Sequence, residues 1–476
     1  MKPSLKYDDS NIKSILYYSQ KLVGKTISDI LDKSEFKGLV SIQNKGIIGT
    51  IIEEYWFGIK PNSSPKPDFQ KVGVELKIIP LIKQKKGLAV KERTKVCSIS
   101  YTKLVSENWQ NSHAKEKLNK VLFIYYLYDK NNISNSEIKK VDLWKLDDGN
   151  NELIIKNDWI NVQKKVLDGL AHEISEGDSK VLAASRSGSG GKDKNGKFRD
   201  LVPQANVEIS EEALKRAFSL KQSFTNQRWK ELQKTVKFES IIDSLSIDDF
   251  SDFETAVLKQ LNRYEKESIR ELSDTFNLNI NNRSKNQIAT IIKKAIGFKS
   301  VKSNIKEFEQ LGIIVKTIKV RRKNNKPLEA ISFPAMELQE FICEEWDEST
   351  FKEMIHKILF VPVYHDSLSL SDKYLGKSFF WSPSIKEEKL IKQEWLDYQN
   401  EIASGKCKVK KIVNKSKRGF KELSSLSKES QTSFIHMRPH GRDSNDRDVD
   451  LFGNSIVKQS FWFNKNFIQT LLNTYG

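Results

Sequence analysis

The sequence has few cysteines and no long apolar segment. Its three cysteines, Cys97, Cys343 and Cys407, lie far apart and form no CxxC pair, which argues against a disulfide framework and against a zinc knuckle. No apolar run approaches the roughly 20 residues that span a bilayer, and the amino terminus lacks the apolar core of a signal peptide. We therefore expect a soluble protein without a membrane partner, located in the reducing cytoplasm.

Several signatures of catalysis are missing as well. The sequence contains no Walker A loop and no GxGxxG turn, so a motor driven by nucleotide hydrolysis is not indicated. Its six histidines show no metal-ligand spacing such as HExxH. The chemistry of this chain has to be sought among its acids and its lysines.

Positive charge is what the sequence has in excess. The formal net charge of the 476 residues is +18. Each phosphate that a lysine or arginine neutralises releases condensed counterions, so this excess favours a polyanionic partner such as nucleic acid. A lysine-rich composition that only reflects the genome would give the same balance. Charge therefore permits a nucleic-acid partner without establishing it.

The order of the apolar patterns predicts a mixture of helices and strands in two or three domains. A helix is predicted over residues 47–56, and a strand that begins at residue 72 is expected to end at Pro80. The predicted strands cover residues 72–79, 95–101 and 121–126. The last of these is apolar enough to be covered on both faces. This mixture predicts an α/β or α+β layered fold.

Four segments recur in the same order in the two halves of the chain. The clearest pair is GVELKII at residues 73–79 and GIIVKTI at residues 312–318. The other pairs are 50–54 with 290–294, 120–124 with 357–361, and 218–224 with 461–467. A shared order of four segments predicts a duplicated domain. We expect one domain over residues 1–235 and a second over residues 245–476.

The candidate for chemistry lies in the first half, where Asp68 is followed by Glu75, Leu76 and Lys77. Asp68 at a loop-strand junction and Glu75 on the strand can point toward one place and bind Mg²⁺ through oxygen ligands. Lys77 lies on the same strand face as Glu75, because strand side chains alternate. There it can orient or deprotonate a water, or offset transition-state charge. The alternative is a solvent-facing ion pair on an edge strand.

The second half keeps the apolar pattern of this segment but not its acids. Ile314 stands where the first half has Glu75, Glu307 corresponds to Asp68, and Met354 corresponds to Lys117. Lysines at positions 293 and 294 replace the glutamates at positions 53 and 54. Such a selective loss is typical of a retired active site, so we expect the first half alone to be catalytic.

These segments resemble a known family. Residues 20–230 are similar to the MutH mismatch-repair endonucleases, and the whole chain is similar to the Sau-type restriction endonucleases, which have two MutH-like halves and cut at GATC. The resemblance rests on residues 45–49, 54–58, 66–69, 73–77, 112–118, 171–173, 216–221 and 437–440. It implies a PD-(D/E)xK restriction-endonuclease-like fold, duplicated, with a second copy that lacks the catalytic residues.

The family pattern implies a role for each matching residue of the site. Asp68 and Glu75 would bind Mg²⁺ with the Leu76 carbonyl oxygen as a third ligand, and Lys77 and Lys117 would be catalytic lysines. A helix glutamate completes the family's site, equally spaced from the glycines on either side. This chain has one extra residue there, which leaves Glu53 and Glu54 both possible. Glu54 is favoured, because the Tyr-Trp-Phe-Gly segment continues directly from it.

The resemblance also implies the residues that contact DNA. They are Lys45, Arg186 and Lys221 in the first half and Arg438 and His440 in the second. Arginine can donate two hydrogen bonds to O6 and N7 of guanine, which suits a GATC site. Each of the five could equally be an ordinary surface cation.

The function that the resemblance implies is a type II restriction endonuclease acting on double-stranded DNA. Because one active site cannot cut two strands at once, a homodimer on DNA is one expectation, and a cognate DNA methyltransferase in the same cell is another. A MutH-like nicking enzyme is the first alternative. Ser219, which stands where MutH has a tyrosine associated with sensing methylation, argues against it. A DNA-binding protein without catalysis is the second alternative.

Overall fold

The structure is a computed structural model that describes most of the chain. The described residues are 5–31, 46–60, 64–84, 87–129, 131–188, 199–205, 212–234, 236–245, 252–278, 287–299, 303–365, 372–407, 409–413 and 420–476. The chain divides into two compact units. The units are Met1–Val236 with Glu309–Leu311, and Lys237–Phe308 with Gly312–Gly476. Among the described residues, no helix has the length and the apolar character to cross a membrane.

The first unit contains six α-helices and nine strands within its described residues. The helices are α1 Ile12–Gln20, α2 Ile47–Ile51, α3 Tyr101–Leu104, α4 His113–Leu118, α5 Asn151–Leu167 and α6 Gln222–Gln233. The strands are β1 Glu75–Gln84, β2 Gly87–Val90, β3 Thr94–Ser98, β4 Lys120–Leu127, β5 Glu137–Lys145, β6 Leu182–Arg186, β7 Leu201–Val202, β8 Ala213–Leu214 and β9 Arg216–Leu220.

The central sheet of the first unit has the order β2-β1-β4-β5. β1 and β4 are parallel, with Glu75 opposite Val121, and the two outer pairings are antiparallel. β4 is apolar along nearly its whole length because both of its faces are buried, as the pattern of residues 121–126 predicts. A second antiparallel sheet has the order β3-β9-β6.

The predicted end of the first strand at Pro80 is wrong. β1 continues through Pro80 to Gln84. Proline lacks the N–H that a strand donates to its neighbour. The pairing of β1 with β2 begins only at Leu81, so Pro80 lies just before this antiparallel pairing starts. The proline is therefore tolerated inside the strand.

The helix predicted over residues 47–56 has two parts. α2 is followed without a break by one π-helical turn, Ile52–Trp56, in which the Phe57 N–H donates to the Ile52 carbonyl oxygen. A π turn accommodates one more residue than an α turn, and such turns are frequent at functional sites. The extra residue of this segment is therefore taken up within the turn.

The second unit contains β10 Phe238–Glu239, α7 Ile242–Leu245, α8 Phe253–Asn262, α9 Ile269–Thr275, α10 Gln287–Ala295, β11 Asn304–Ile305, α11 Lys306–Leu311 (whose last three residues are assigned to the first unit), β12 Ile313–Arg321, β13 Lys326–Pro327, β14 Ile331–Ser332, α12 Leu338–Phe341, α13 Thr350–Ile355, β15 Lys357–His365, β16 Lys373–Leu375, β17 Phe379–Trp381, α14 Ile385–Ala403, β18 Val409–Val413, β19 Phe420–Ser424, β20 Ile435–Pro439, β21 Arg447–Val449, β22 Ser455–Val457, β23 Gln459–Phe463 and α15 Lys465–Tyr475.

The main sheet of the second unit is also built on a parallel pair. β12 pairs with β15 in parallel, with Ile313 opposite Lys357. β13 lies beside β12, and β16 and β17 both pair with β15. A further antiparallel sheet has the order β14-β23-β20. Both units mix helices with sheets, which confirms the predicted mixed class.

Candidate active site

The candidate site lies at the edge of the first unit's central sheet where β1 and β4 begin. Parallel strands start at the same edge of a sheet, so Glu75 at the start of β1 lies beside the segment that leads into β4. That segment is α4, which ends two residues before β4 and has Lys117 in its last turn. The sheet topology therefore brings together an acid and a lysine that are far apart in sequence.

The Glu75 carboxylate is bound by two lysines. The Nζ atom of Lys117 lies 2.9 Å from each of its oxygens, and the Nζ atom of Lys77 lies 2.7 Å from Oε1. The Glu75 side chain is only 3% exposed, so its charge is offset by these ammonium groups rather than by water. The contact with Lys77 agrees with the prediction that the two side chains share one face of the strand.

Asp68 is held next to Glu75 by a tight turn. Phe69 and Val74 form a bridge across this turn, and Gly73 within it has a φ of 62°, which favours glycine. The chain therefore folds back, and Oδ2 of Asp68 accepts a hydrogen bond from the Leu76 N–H at 2.9 Å. Burial raises the pKa of Asp68, and the negative charge of Glu75 raises it further.

Glu53, and not Glu54, faces these acids. The Glu54 side chain is exposed, whereas Glu53 is partly buried. Burial raises the pKa of Glu53, and the charge of Asp68 adds to this effect. The preference for Glu54 is thus corrected. The extra residue lies in the π turn, after the glutamate. Alignment of the segment from Gly49 forward therefore gives Glu53, whereas alignment from the Tyr-Trp-Phe-Gly segment backward gives the neighbouring residue Glu54.

The chemistry of the donor set fits a hard divalent cation. Glu53, Asp68 and Glu75 interact electrostatically, and a cation between carboxylates relieves such repulsion. Among the described residues, no three His, Cys, Asp or Glu side chains stand close enough to hold a metal ion by themselves. Mg²⁺ needs only one or two carboxylates, because it keeps several waters. The carboxylates of Asp68 and Glu75 meet this requirement.

Lys95 on β3 is a further cation near this site that no sequence motif indicated. Its Nζ atom donates to the Ser187 hydroxyl at 3.2 Å. Burial lowers the pKa of Lys95, and the positive charges of Lys215 and Lys77 lower it further. The three lysines belong to separate segments of the chain, so their spacing in the sequence gave no signal.

Of the residues expected to contact DNA in the first unit, Arg186 is partly exposed at the end of β6. Its guanidinium forms a two-point ion pair with Asp200. Lys45 lies outside the described residues.

The expectation that Lys221 contacts DNA is corrected. Lys221 is 6% exposed, and its ammonium donates to the Ser179 carbonyl oxygen. It also interacts electrostatically with Asp158, a buried acid that accepts hydrogen bonds from three main-chain N–H groups at the start of β6. Lys221 therefore stabilises the interior, and it could reach a phosphate only by leaving this position.

In the second unit, Arg438 and His440 both contact Trp462. The Arg438 guanidinium lies 4.5 Å from the centre of the indole ring, and the two aromatic ring centres of His440 and Trp462 are 5.1 Å apart. Nδ1 of His440 lies 3.0 Å from both the Phe333 carbonyl oxygen and the Ser460 hydroxyl. Arg438 and His440 are exposed, so the structure leaves both accessible.

The residues of the second unit that correspond to the candidate site make structural contacts within that unit. Ile314 and Met354 pack against the hydrophobic core. Glu307 accepts hydrogen bonds from the Ser240 hydroxyl and the Ile241 N–H. Lys316, which answers Lys77, donates to the Ser332 carbonyl oxygen and lies over a phenylalanine ring. These residues make structural contacts and do not form an acidic group like that of the first unit.

Comparison with known proteins identifies relatives of both halves. The sequence model of the family described as DNA mismatch repair enzyme MutH matches residues 57–158 and again residues 296–394. The type II restriction enzyme Sau3AI of Staphylococcus aureus is 29% identical over 95% of this chain and 96% of its own length. The DNA mismatch repair protein MutH of Actinobacillus pleuropneumoniae serotype 3 is 23% identical over 48% of this chain and 98% of its own length. The MutH of Enterobacter sp. is 35% identical over 24% of this chain. Two stretches of the chain are therefore similar to the MutH family, and nearly the whole chain is similar to a type II restriction enzyme.

Proposed function

We propose that this protein is a type II restriction endonuclease that hydrolyses both strands of double-stranded DNA at GATC with Mg²⁺ as its cofactor. The observation that carries the proposal is the convergence of Glu53, Asp68, Glu75, Lys77 and Lys117 at one sheet edge. The similarity to a type II restriction enzyme over nearly the whole chain supports it.

Each of these side chains has a chemical task in the proposed reaction. Asp68, Glu75 and the Leu76 carbonyl oxygen would hold Mg²⁺, and Glu53 would complete the negative site. The bound cation would polarise the scissile phosphate and lower the pKa of water. Lys77 would orient the attacking water, help to deprotonate it, or offset the negative charge of the transition state. Lys117 would lie near the scissile phosphate and stabilise the negative charge that develops there.

The second half would be a catalytically silent copy of the first. Both halves match the MutH model, and β12 pairs with β15 in parallel as β1 pairs with β4. We infer a catalytic domain over residues 1–235 and a silent DNA-binding or regulatory domain over residues 245–476. One active site per chain means that two molecules pair on DNA, or that one molecule nicks, releases and rebinds.

Contacts with DNA would come from both halves. Arg186 in the first half and Arg438 and His440 in the second are the candidates, because each is at least partly exposed. Arg438 rests on an aromatic ring, which fixes its direction without removing its donors. Lys45 stays a prediction. A methyltransferase that protects the same site in the host would be the genetic partner.

A nicking enzyme related to MutH is the alternative function, and it is supported by the similarity of about half of this chain to MutH proteins. The position of Ser219 argues against this alternative. The Ser219 hydroxyl is 2.7 Å from that of Ser185 on the neighbouring strand, and the residue is 2% exposed. A short side chain buried in this way does not reach a DNA base, so sensing of a methyl group by this position is not supported.

The test is cleavage of a plasmid that contains several GATC sites, with Mg²⁺ and with the variants Asp68→Ala and Glu75→Ala. The proposal expects discrete fragments that end at GATC from the wild type and none from the variants. Nicked circles as the final product would favour the MutH-like alternative. Binding without any cleavage, with Mg²⁺ or with Mn²⁺, would leave a non-catalytic DNA-binding protein.

A further inference from the structure

A cavity of about 450 Å³ lies within the second unit, at the edge of the main sheet where β15 ends. Its size is within the range of small-molecule sites. Ile314, which corresponds to Glu75, pairs with Ile358 near the other end of β15. A rise of about 3.3 Å per residue places Tyr364, which lines the cavity, roughly 20 Å from Ile358. The cavity is therefore separate from the edge that corresponds to the candidate active site.

Two tyrosines line this cavity side by side. Tyr364 on β15 and Tyr374 on β16 are direct partners in an antiparallel pair, so their side chains lie on one face of the sheet. Both are partly exposed. The Tyr364 ring lies across Gly376, where a Cβ atom would be 2.5 Å from Cε2 of the ring. Glycine at this position therefore lets the ring pack against the main chain, while the same tyrosine also lines the cavity.

The main chain holds a lysine at the rim of the cavity. Lys266, in the loop between α8 and α9, has a φ of 71°, a conformation that is unfavourable for residues other than glycine. Its N–H donates to the Leu375 carbonyl oxygen at 2.8 Å, and the Leu375 N–H donates to the Glu267 carbonyl oxygen at 3.0 Å. The Lys266 side chain is 89% exposed, and its Nζ atom lies 4.0 Å from the Glu265 carboxylate. The loop is thus tied to β16 while the ammonium stays in solvent.

A second lysine lines the cavity from the segment that follows β16. Lys377 is exposed. The next residue, Ser378, is joined to Asn262 at the end of α8. The Ser378 N–H donates to Oδ1 of Asn262 at 2.7 Å, and Nδ2 of Asn262 donates to the Ser378 carbonyl oxygen at 3.2 Å. Because α8 leads into the loop of Lys266, the two lysines belong to parts of the chain that are fixed to each other.

The charged side chains that line the cavity are mostly basic. Among the described residues they are Lys266, Arg322 and Lys377, with the acid Glu265. The Arg322 guanidinium lies 5.0 Å from the centre of the Tyr374 ring, so positive charge also lies beside the tyrosines. A cavity with an excess of positive charge attracts anions, and exposed aromatic rings bind flat aromatic groups by stacking. A nucleotide combines both features, because it is an aromatic base that carries phosphate.

We propose that this cavity binds a nucleotide, with the base against Tyr364 and the phosphate between Lys266 and Lys377. The inference goes beyond the proposed cleavage of DNA and does not depend on it, because the cavity uses none of the residues of the candidate active site. Stacking on an aromatic ring tolerates every base, so the site should accept all four. The nucleotide is either free or the unpaired end of a nucleic-acid strand, and both present the same base and phosphate.

The experiment is calorimetric titration of the full chain with each of the four deoxynucleoside monophosphates. We expect saturable binding, and weaker binding of the unphosphorylated nucleosides and of inorganic phosphate, because each of these offers only part of the contacts. Lys266→Gly should weaken binding of the monophosphates roughly tenfold, the effect of losing one hydrogen bond to a charged group. Glycine suits the φ of 71°, so this variant should be no less stable than the wild type. A loss of binding is then not due to misfolding.

Lys234 in the first unit is a matched control. It is an exposed lysine with a φ of 54°, and it does not line the cavity. Lys234→Gly therefore removes the same charge from the same backbone conformation at another place. Its affinity for the monophosphates should equal that of the wild type.

The role of the aromatic ring is tested by two variants of Tyr364. Tyr364→Phe keeps the ring and should bind the monophosphates nearly as well as the wild type. Tyr364→Leu removes the ring and should weaken the monophosphates while leaving the affinity for inorganic phosphate unchanged. Binding of inorganic phosphate thus reports whether the lysines of the cavity are still in place.

Several results would overturn the inference. One is the absence of saturable binding of any monophosphate up to about 1 mM. Others are unchanged binding by Lys266→Gly, an equal loss in Lys266→Gly and Lys234→Gly, and equal affinities of the wild type for monophosphates and for inorganic phosphate. A 5′-phosphorylated single-stranded oligonucleotide identifies the source of the ligand. Competition with the monophosphates would assign the cavity to a strand end, and binding of monophosphates without such competition would assign it to a free nucleotide.

Discussion

The Nζ atom of Lys117 lies 2.9 Å from both carboxylate oxygens of Glu75. The two residues belong to different elements, and they meet because α4 leads into a strand that is parallel to β1. The same ammonium also donates to the Lys66 carbonyl oxygen, on the segment that precedes Asp68. Lys117 thus joins the two parts of the chain that supply the proposed metal ligands.

Replacement of Lys117 by methionine should lower the cleavage rate. We expect a loss of about 100-fold in single-turnover cleavage, because a cation next to the scissile phosphate is removed. Lys115→Met is the control, since Lys115 is on the same helix but pairs with Glu152 and Gln110. An equal loss in both variants would attribute the effect to the helix and not to Lys117.

Adjacent glutamates give a second test of the site. Glu53→Gln should slow cleavage by roughly 10- to 100-fold, because it removes a charge that interacts with Asp68. Glu54→Gln changes an exposed residue one position along the same turn and should leave the rate close to that of the wild type. Single-turnover rates at saturating Mg²⁺ decide between them. A slow Glu54→Gln enzyme with a normal Glu53→Gln enzyme would restore the preference drawn from the sequence.

Much of the candidate site could be predicted from local patterns. The alternation of β1 predicts that Glu75 and Lys77 share a face, and the apolar run of β4 predicts a central strand. The choice between Glu53 and Glu54 could not be predicted, because a π turn and an α turn differ by one residue without a distinct sequence signature.

Contacts between distant segments could not be predicted either. A lysine such as Lys221 is usually exposed at the surface, and only the fold places this one near the buried Asp158. The Arg186 guanidinium pairs with both carboxylate oxygens of Asp200, an acid that no sequence motif indicates. The sequence predicts a strand end at Pro80, because it does not tell which edge of a strand is unpaired at a given residue.

The buried position of Lys221 leads to a prediction about stability. Lys221→Met would leave Asp158 in the interior without its neighbouring cation. We expect the free energy of unfolding, measured in urea at pH 7, to fall by about 1 to 3 kcal/mol, because the buried Ser179 carbonyl oxygen also loses its donor. Under conditions in which the variant is folded, its affinity for DNA should remain within about twofold of the wild type. A variant of normal stability with weakened DNA binding would show instead that Lys221 is a DNA contact.

Lys316 in the second unit leads to a prediction about pH. Burial lowers the pKa of Lys316 to about 8, from 10.5 for an exposed lysine. The folded state therefore binds this proton more weakly than the unfolded state. By linkage, the contribution of Lys316 to the free energy of unfolding rises as the pH increases from 8 to 10.5, and below pH 8 the full cost of burying the charge is present. This cost is about 3 kcal/mol.

The measurement is the difference in unfolding free energy between Lys316→Met and the wild type across this range of pH. Methionine has no charge to bury, so the variant should be favoured most below pH 8, and its advantage should shrink by up to about 3 kcal/mol by pH 10.5. Taking the difference cancels the titration of all other groups. Lys319→Met on the same strand is the control, because Lys319 is exposed and paired with Glu329. A difference for Lys316→Met that does not change with pH would mean that this ammonium is solvated, and that the interior of the second unit does not bury a charge at the position that answers Lys77.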